Sequence, residues 1–442
     1  MKKLLQIIEK RFKLIAVFLL GLILITFFDK ALAIGLLLLF VSLFLTLSFV
    51  KKSGWSSKYL VILLLIALTI NLVATLFIHY TNFQPFGLVG DGDFNTYHEG
   101  ATEFSSRFKQ GNFSLEGLDF KMSHYFSVVI GVLYALTLPE MIIGQLLGVW
   151  FSILTILFVY LIVFELGASK KWAFLIGLIA ISYPSFLFYN SLLLKDTIVI
   201  PFALLTMLLI LKLTKGFSWR NFLFFILSLG VVFHFRFYIA YALLFSFLLS
   251  WLLLIKLSSV RKKIIYSIII IAILGSLPAV LKRDNLNIEK ITLYQEKARA
   301  SSDKSSPTNT SYGGYASTWK KEEVNIKENL SGFLINQLKY FSYALLGPFP
   351  WQMRYSRHLF ALVETIPWYI LLFFIGKGIW EAIRFRNKLI FPLLVFCALT
   401  LGVMGFFLNN FGVITRIRIP VFMMLLCLIP LGFKRYFGEK KS

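Results

Sequence analysis

The chain has 442 residues, of which 58% are hydrophobic, and its formal net charge is +24. Its mean hydropathy of +0.79 reflects long unbroken apolar runs, whereas a soluble domain interleaves its apolar residues with charge. The basic residues form short clusters between these runs. That distribution is typical of the loops of a membrane protein, whereas a nucleic-acid-binding protein carries a continuous basic stripe.

The apolar runs predict an all-α polytopic membrane protein with about 12 transmembrane helices. Crossing about 30 Å of hydrocarbon takes roughly 20 residues of helix, and only helices or closed barrels satisfy every backbone group in lipid. The runs are continuous rather than alternating, so helices are predicted. The predicted spans are residues 14–28, 31–50, 59–79, 141–164, 172–190, 197–213, 221–235, 238–256, 264–281, 361–379, 389–408 and 419–434.

The distribution of charge predicts that both termini are cytoplasmic. Alternating the spans from an inner N-terminus places 25 of the 45 basic residues inside the cell, but only four of the 21 acidic residues. Inner loops of membrane proteins carry such an excess of Lys and Arg. The predicted regions are an N-terminal hairpin (1–58), a transmembrane core (59–281) with a first outer loop (80–140), a second outer loop with an interfacial segment (282–360), and C-terminal helices (361–442).

Two short segments bear on this topology. Residues 124–138 are apolar but short, and a crossing there would invert every later loop, so we predict an outer half-helix or re-entrant segment. Residues 1–33 resemble a signal peptide, with Ala31-Leu32-Ala33 as a cleavage sequence. Because another apolar span follows at once, a retained hairpin is favoured.

The first outer loop contains Gly90-Asp91-Gly92-Asp93 followed by an amphipathic pattern. Thr96 and Glu99 have the spacing of a capping box, which predicts a helix start. The apolar positions that follow, beginning at Tyr97, predict a helix lying on the outer membrane surface. Asp91 and Asp93 would then lie on the turn before that helix.

Three interpretations of this aspartate pair remain open. The two carboxylates are suited to binding Mg²⁺ or Mn²⁺, or one of them is a general base for an acceptor hydroxyl. The third interpretation is a solvated turn, because Asp and Gly are common turn residues.

The second outer loop is polar and predicted to be flexible over residues 282–335, as either a lid or a spacer. Residues 340–351 combine prolines with aromatic residues. This composition predicts a rigid interfacial turn that either anchors the chain in the membrane or contributes to binding.

Further charges occur in short outer turns at the ends of predicted spans. Ionisable residues at such positions are candidate functional sites, although each alone is also explained as an interfacial charge. Outer cations near lipid suit a phosphate or pyrophosphate headgroup, and arginine matches that geometry best. The residues concerned are Lys195, Asp196, His234, Arg236, Arg416 and Arg418.

Taken together, these motifs resemble the GT-C glycosyltransferases, polytopic enzymes that include the protein O-mannosyltransferases and the aminoarabinose transferases of lipid A. Asp93 and Tyr97, with Ala101 after them, have the spacing of the family's acidic motif in its first outer loop. Arg236-Phe237-Tyr238 resembles its Arg-x-Tyr, and Arg416-x-Arg418-x-Pro420 resembles its late basic motif. Lys195-Asp196 departs from the usual Glu-Pro turn. The resemblance covers residues 60–256 and 340–434.

The resemblance implies transfer of a sugar from a polyprenyl-phosphate donor to a glycan, lipid or protein acceptor. Asp93 and Asp91 are the catalytic candidates: Asp93 would either deprotonate the acceptor hydroxyl or, with Asp91, bind Mg²⁺ or Mn²⁺. The implied substrate-binding residues are Tyr97, His98, Lys195, Asp196, His234, Arg236, Tyr238, Arg416 and Arg418. A polysaccharide repeat-unit polymerase or ligase is the alternative function. A transporter is the third and least favoured function. Transporters place polar residues near the midplane in broken helices, whereas the centres of these spans are almost purely apolar.

Overall fold

The computed structural model describes residues 20–83, 93–114, 125–254, 265–275 except 271 and 273, 330–349, 359–408 and 411–433. Within these ranges the regular structure is helical and no strand occurs, which confirms the predicted all-α class. The helices, in chain order, are α1 (Lys30–Lys52), α2 (Lys58–Thr81), α3 (Asp93–Lys109), α4 (Tyr125–Leu136), α5 (Met141–Glu165), α6 (Lys170–Ile181), α7 (Pro184–Ser191), α8 (Asp196–Lys215), α9 (Trp219–Phe235), α10 (Phe237–Leu253), α11 (Leu330–Leu346), α12 (Leu359–Arg384), α13 (Ile390–Phe407), α14 (Phe411–Ile417) and α15 (Ile419–Leu426).

Several of these helices are long and apolar enough to cross a membrane. Among the described residues there are five, α1, α2, α5, α8 and residues 363–384 of α12, or six if α6 and α7 form one bent span. Shorter apolar helices, including α9, α10 and α13, occupy other predicted spans, and α4 is a short apolar helix at residues predicted to be a half-helix. A multi-pass membrane protein is therefore supported, while a total of about 12 crossings stays a prediction.

The predicted span 172–190 is wrong as one continuous helix. Helix α6 ends at Ile181, and α7 begins at Pro184 with a bend of 62° between them. Proline lacks the N–H that would continue the helix, and it pushes the preceding residue, Tyr183, into the extended region.

Helix α11 occupies residues for which the sequence predicted the end of a flexible loop and an interfacial turn. Asn336, Tyr340 and Ala344 recur every fourth residue and form its buried face. This face packs against α13 at Gly405, where an added Cβ would lie 2.9 Å from the backbone N of Phe341. The backbones approach so closely here that only glycine fits.

Helix α5 forms the centre of the bundle. It is apolar all round and buried along nearly its whole length, as expected for a helix surrounded by other helices. Helices α1, α2, α6 and α8 pack against it. By contrast α1 and α2 leave large apolar side chains such as Phe44 and Val73 exposed, which suits a surface that faces lipid.

Segments predicted to lie on the inner side of the membrane meet at one end of the bundle. The Nζ of Lys215 lies 2.8 Å from Glu165 Oε1, and Lys212 lies 4.6 Å from the centre of the Trp55 ring. Phe433 contacts Trp172, with ring centres 4.5 Å apart. We call this the basic end. Its contacts agree with the predicted alternation of spans, and the side of the membrane that it faces stays a prediction.

Candidate functional site

An ion-pair network joins four segments that lie far apart in the chain. Arg236 binds Asp196 with two hydrogen bonds, from Nε to Oδ1 at 3.0 Å and from Nη2 to Oδ2 at 2.9 Å. Arg416 donates from Nη1 to Asp93 Oδ2 at 2.8 Å, and its Nε lies 3.0 Å from Asp196 Oδ2. We call these four residues, together with Lys195, the charged cluster.

Every member of the network lies at or near a helix end. Asp93 and Asp196 are the first residues of α3 and α8, where the positive end of the helix dipole favours a carboxylate. Arg236 is the single residue between α9 and α10, and Arg416 lies in the last turn of α14. Because α8 begins here and ends at Lys215, the charged cluster lies at the end of the bundle opposite the basic end.

The two carboxylates differ in their exposure to solvent. The side chains of Asp196 and Arg236 are 5% and 11% exposed, and that of Arg416 is 15% exposed. The Asp93 side chain is 53% exposed. Buried charges are tolerated only when they are paired and hydrogen-bonded, as Asp196 and Arg236 are. Asp196 and Arg236 thus form the buried ion pair of the charged cluster, and Asp93 is the carboxylate that faces solvent.

Lys195 adds a third cation to the charged cluster. Its side chain is buried, and this burial, with repulsion from Arg236, lowers the pKa of Lys195 to about 8, while Asp196 acts in the opposite direction. With all groups ionised, three cations face two carboxylates. The excess of positive charge favours an anionic ligand.

Two tyrosines that the sequence predicted to bind substrate lie against the charged cluster. The hydroxyl of Tyr238 accepts a hydrogen bond from Arg236 Nη1 at 3.1 Å. Tyr97 is buried one turn after Asp93. Its burial, together with the negative charges of Asp93 and Asp196, holds the pKa of Tyr97 well above its usual value.

Arg416 contacts both carboxylates of the charged cluster through different nitrogens. Its Nε is buried and makes no hydrogen bond, although Asp196 Oδ2 is within ion-pair distance. Arg236 already donates to both Asp196 oxygens, and the Arg416 Nε contact lacks hydrogen-bond geometry. The hydrogen bond that Arg416 makes within the charged cluster therefore goes to Asp93.

Helix α3 begins at Asp93, three residues before the start that the capping-box spacing predicted. The prediction that Asp93 lies on a turn is therefore wrong. No proline or glycine separates Asp93 from Thr96, and an aspartate in the first turn is itself stabilising. Asp91 lies outside the described residues.

The apolar stripe of α3 is confirmed, but it packs against α4. Tyr97 contacts Phe126, with ring centres 5.2 Å apart at a steep angle. A Cβ on Gly131 would lie 2.9 Å from the backbone oxygen of Ala101, so the two helices touch through backbone. Helix α4 therefore covers this face, and the location of α3 on the outer membrane surface stays a prediction.

Both candidate histidines contact aromatic residues. His98 Nδ1 lies 3.0 Å from the hydroxyl of Tyr134. The His234 ring lies 4.6 Å from that of Tyr125. The predicted substrate-binding role of both histidines stays a prediction.

Arg418 lies in a separate buried cluster, not with Arg416. Its Nη2 donates to Glu364 Oε1 at 3.0 Å, and its Nη1 donates to the backbone oxygen of Gly347. Glu364 also accepts hydrogen bonds from the hydroxyl of Tyr183 and the backbone N of Ser185, at the break between α6 and α7. These contacts hold α12 and α15 against the start of α7.

Glu364 was missed by the sequence interpretation. It is the single acidic residue of the predicted span 361–379 and lies near its start. An ionisable residue inside a span is rare and normally has a partner, so this signal was present in the sequence.

The described carboxylates do not fit a divalent metal. Both oxygens of Asp196 accept from Arg236, and Asp93 is paired with Arg416, so guanidinium groups occupy the positions that a metal would take. Among the described residues no group of three or more His, Cys, Asp or Glu side chains is arranged to hold a metal. The predicted Mg²⁺ or Mn²⁺ site at Asp91 and Asp93 gains no support from the described part of the chain.

No family model matches the chain, and no curated protein or solved structure matches it either.

Proposed function

We propose that this protein is a membrane glycosyltransferase that moves a sugar from a polyprenyl-phosphate donor to a cell-envelope acceptor, at the outer face of the cytoplasmic membrane. The charged cluster is the observation that supports this proposal. Asp93 and Arg416 are 323 residues apart in sequence, yet they form a direct ion pair. Each of the resembling motifs around Asp93, Asp196, Arg236 and Arg416 contributes a side chain to one place.

The cations of the charged cluster suit the donor phosphate. Arg416 and Lys195 would hold the phosphate oxygens, with Arg236 fixed behind them by Asp196. The sites of positive charge are built before the substrate arrives and lie where water is partly excluded. Charge that develops on the departing polyprenyl phosphate is stabilised most effectively by such preorganised groups.

Asp93 is the group best placed to act as general base. In the proposed reaction its carboxylate takes the proton of the acceptor hydroxyl. The hydroxyl oxygen then bonds to the anomeric carbon, and the bond from that carbon to the phosphate oxygen breaks, leaving its electron pair on polyprenyl phosphate. Asp196 is less suitable because it is buried and binds Arg236 through both oxygens. Solvent exposure lets Asp93 reach an acceptor that approaches from water.

Purified protein in lipid nanodiscs, given radiolabelled polyprenyl-phosphate sugars and a panel of cell-envelope acceptors, tests this proposal. We expect label to move to an acceptor with release of polyprenyl phosphate. A parallel arm with polyprenyl-pyrophosphate-linked oligosaccharides tests the polymerase or ligase alternative. Activity only in that arm would replace the transferase proposal, and inactivity in both arms would contradict both.

One observation favours a transporter as second candidate. Helices α6 and α7 form a broken apolar pair, and a buried Glu364–Arg418 ion pair meets them at the break. Transporters build substrate sites from such broken helices near the midplane. Glu364, however, is only five residues from the start of α12, roughly 8 Å along a helix. Uptake of labelled lipid-linked or free sugars into vesicles without any covalent product would favour this candidate.

A further inference from the structure

We infer that the ion pair between Asp93 and Arg416 is an exchangeable contact: an incoming phosphate takes the place of Asp93 on Arg416 and releases the Asp93 carboxylate. This inference rests on the proposed function for the identity of the phosphate. It makes donor binding the event that frees the base, so the donor binds before the acceptor reacts.

The two ion pairs of the charged cluster differ in how firmly they are held. Asp196 accepts two hydrogen bonds from Arg236, and both side chains are almost fully buried. Asp93 accepts one hydrogen bond from Arg416 and is half exposed. Exposed pairs contribute little stability, whereas breaking a buried pair is strongly unfavourable. An anion entering from solvent therefore displaces Asp93 and leaves Asp196 in place.

Arg416 is built to bind an anion better than it binds Asp93. Its Nη1 donates one hydrogen bond to Asp93, while its Nε lies 3.0 Å from Asp196 Oδ2. A phosphate has several acceptor oxygens and can bind an arginine through two parallel hydrogen bonds. Bound through Nη1 and Nη2, it would accept two hydrogen bonds where Asp93 accepts one, and the excess charge from Lys195 favours the exchange further.

The exchange also determines when Asp93 becomes active. While Arg416 holds it, the carboxylate is committed to an ion pair, and its Oδ2 accepts the hydrogen bond from Arg416 Nη1. Once phosphate occupies Arg416, the released carboxylate lies beside the donor with no guanidinium bound to it. Acceptor hydroxyls are then deprotonated next to a bound donor, which limits unproductive reaction in its absence.

Equilibrium binding of a radiolabelled polyprenyl phosphate to the full chain in nanodiscs tests the exchange without requiring catalysis. Removing the competing carboxylate in Asp93→Asn should tighten binding about threefold, the scale of one half-exposed ion pair. Arg416→Ala should weaken binding by about tenfold or more, because a charge-assisted bidentate contact is lost. Glu103→Gln is the matched control, since it removes an exposed carboxylate paired with Arg107 on the same helix and should leave affinity unchanged.

The exchange would be overturned if Asp93→Asn bound polyprenyl phosphate no more tightly than the unmodified protein, provided that the variant unfolds at the same temperature. Asp93→Ser is a second variant, because serine is also accepted at a helix start. Inorganic phosphate as competitor distinguishes a lipid headgroup from a free phosphate as the ligand. Tighter binding by Asp93→Asn without sugar transfer by the unmodified protein would uphold the exchange and reject the proposed function.

Discussion

The two ends of the bundle carry the same kinds of residue in different arrangements. At the basic end, Lys215 and Glu165 form an ion pair whose side chains are 41% and 20% exposed. At the opposite end, Arg236 and Asp196 are almost fully buried and share two hydrogen bonds. Long cations at a membrane boundary normally extend toward water, as Lys215 does. Burial of Arg236 against Asp196 therefore distinguishes this end of the bundle from the basic end, where the cation is exposed to solvent.

Loss of one buried partner should produce the largest difference between the two ends. Arg236→Ala leaves the Asp196 carboxylate buried without its main partner, so we expect a loss of about 3–5 kcal/mol in the free energy of unfolding. Lys215→Ala should cost less than about 1 kcal/mol, because its pair is exposed to solvent and screened. Unfolding in detergent, followed by circular dichroism, measures both. Equal losses would show that the distinction between the ends has no energetic basis.

Asp93 offers a change in chemistry with little change in stability. Asp93→Asn keeps the size of the side chain and removes its charge. We expect sugar transfer to fall by about two orders of magnitude, the scale of a lost general base. The unfolding temperature should stay close to that of the unmodified protein, because the Asp93 side chain is half exposed.

Glu103→Gln, on the exposed face of the same helix, should leave transfer unchanged and serves as its control. Full activity in Asp93→Asn would show that transfer does not require the Asp93 carboxylate, and it would favour a site built on arginines alone.

The pH dependence of donor binding should report on Lys195. Burial lowers the pKa of Lys195 to about 8, so its ammonium is lost as the pH rises through that value. A phosphate ligand favours the charged form. The KM for the donor should therefore rise as the pH increases above about 8. At lower pH Lys195 stays charged, so it should not change the KM. In Lys195→Arg the cation persists and this alkaline limb should disappear, whereas a limb that remains would assign it to another group.

Chelation should have the smallest effect. Because arginines already pair with both described carboxylates of the charged cluster, we expect EDTA to change transfer by less than about twofold. Loss of activity that Mg²⁺ or Mn²⁺ restores would show that a metal is bound, with Asp91 as the first ligand to substitute.

Local features of this fold were readable from the sequence because they depend on neighbouring residues. The spacing of Tyr97 and Ala101 predicted the buried face of α3, and apolar runs predicted α5 and α8 closely. The break before Pro184 was also readable, since proline ends a helix, but the apolar run across it outweighed that signal.

The pairing within the charged cluster could not be predicted from spacing. Arg416 and Arg418 are two residues apart and look equivalent in sequence, yet one faces Asp93 and the other is bound to Glu364. Residues two apart on a helix point in different directions, so each arginine meets a different set of neighbours. The neighbours come from helices far away in the chain, and only tertiary packing brings them there.

Opposite exposure of the two ends is the central claim, because the proposed chemistry requires the charged cluster to lie outside the cell. Glu103→Cys in α3 and Lys170→Cys at the start of α6 place exposed thiols on opposite sides of the predicted topology. Both are made in a chain with Cys397→Ala and Cys427→Ala, and intact cells are treated with a membrane-impermeant thiol reagent. We expect labelling at residue 103 and protection at residue 170 until the membrane is opened. Labelling of residue 170 with protection of residue 103 would place the charged cluster in the cytoplasm and contradict the account.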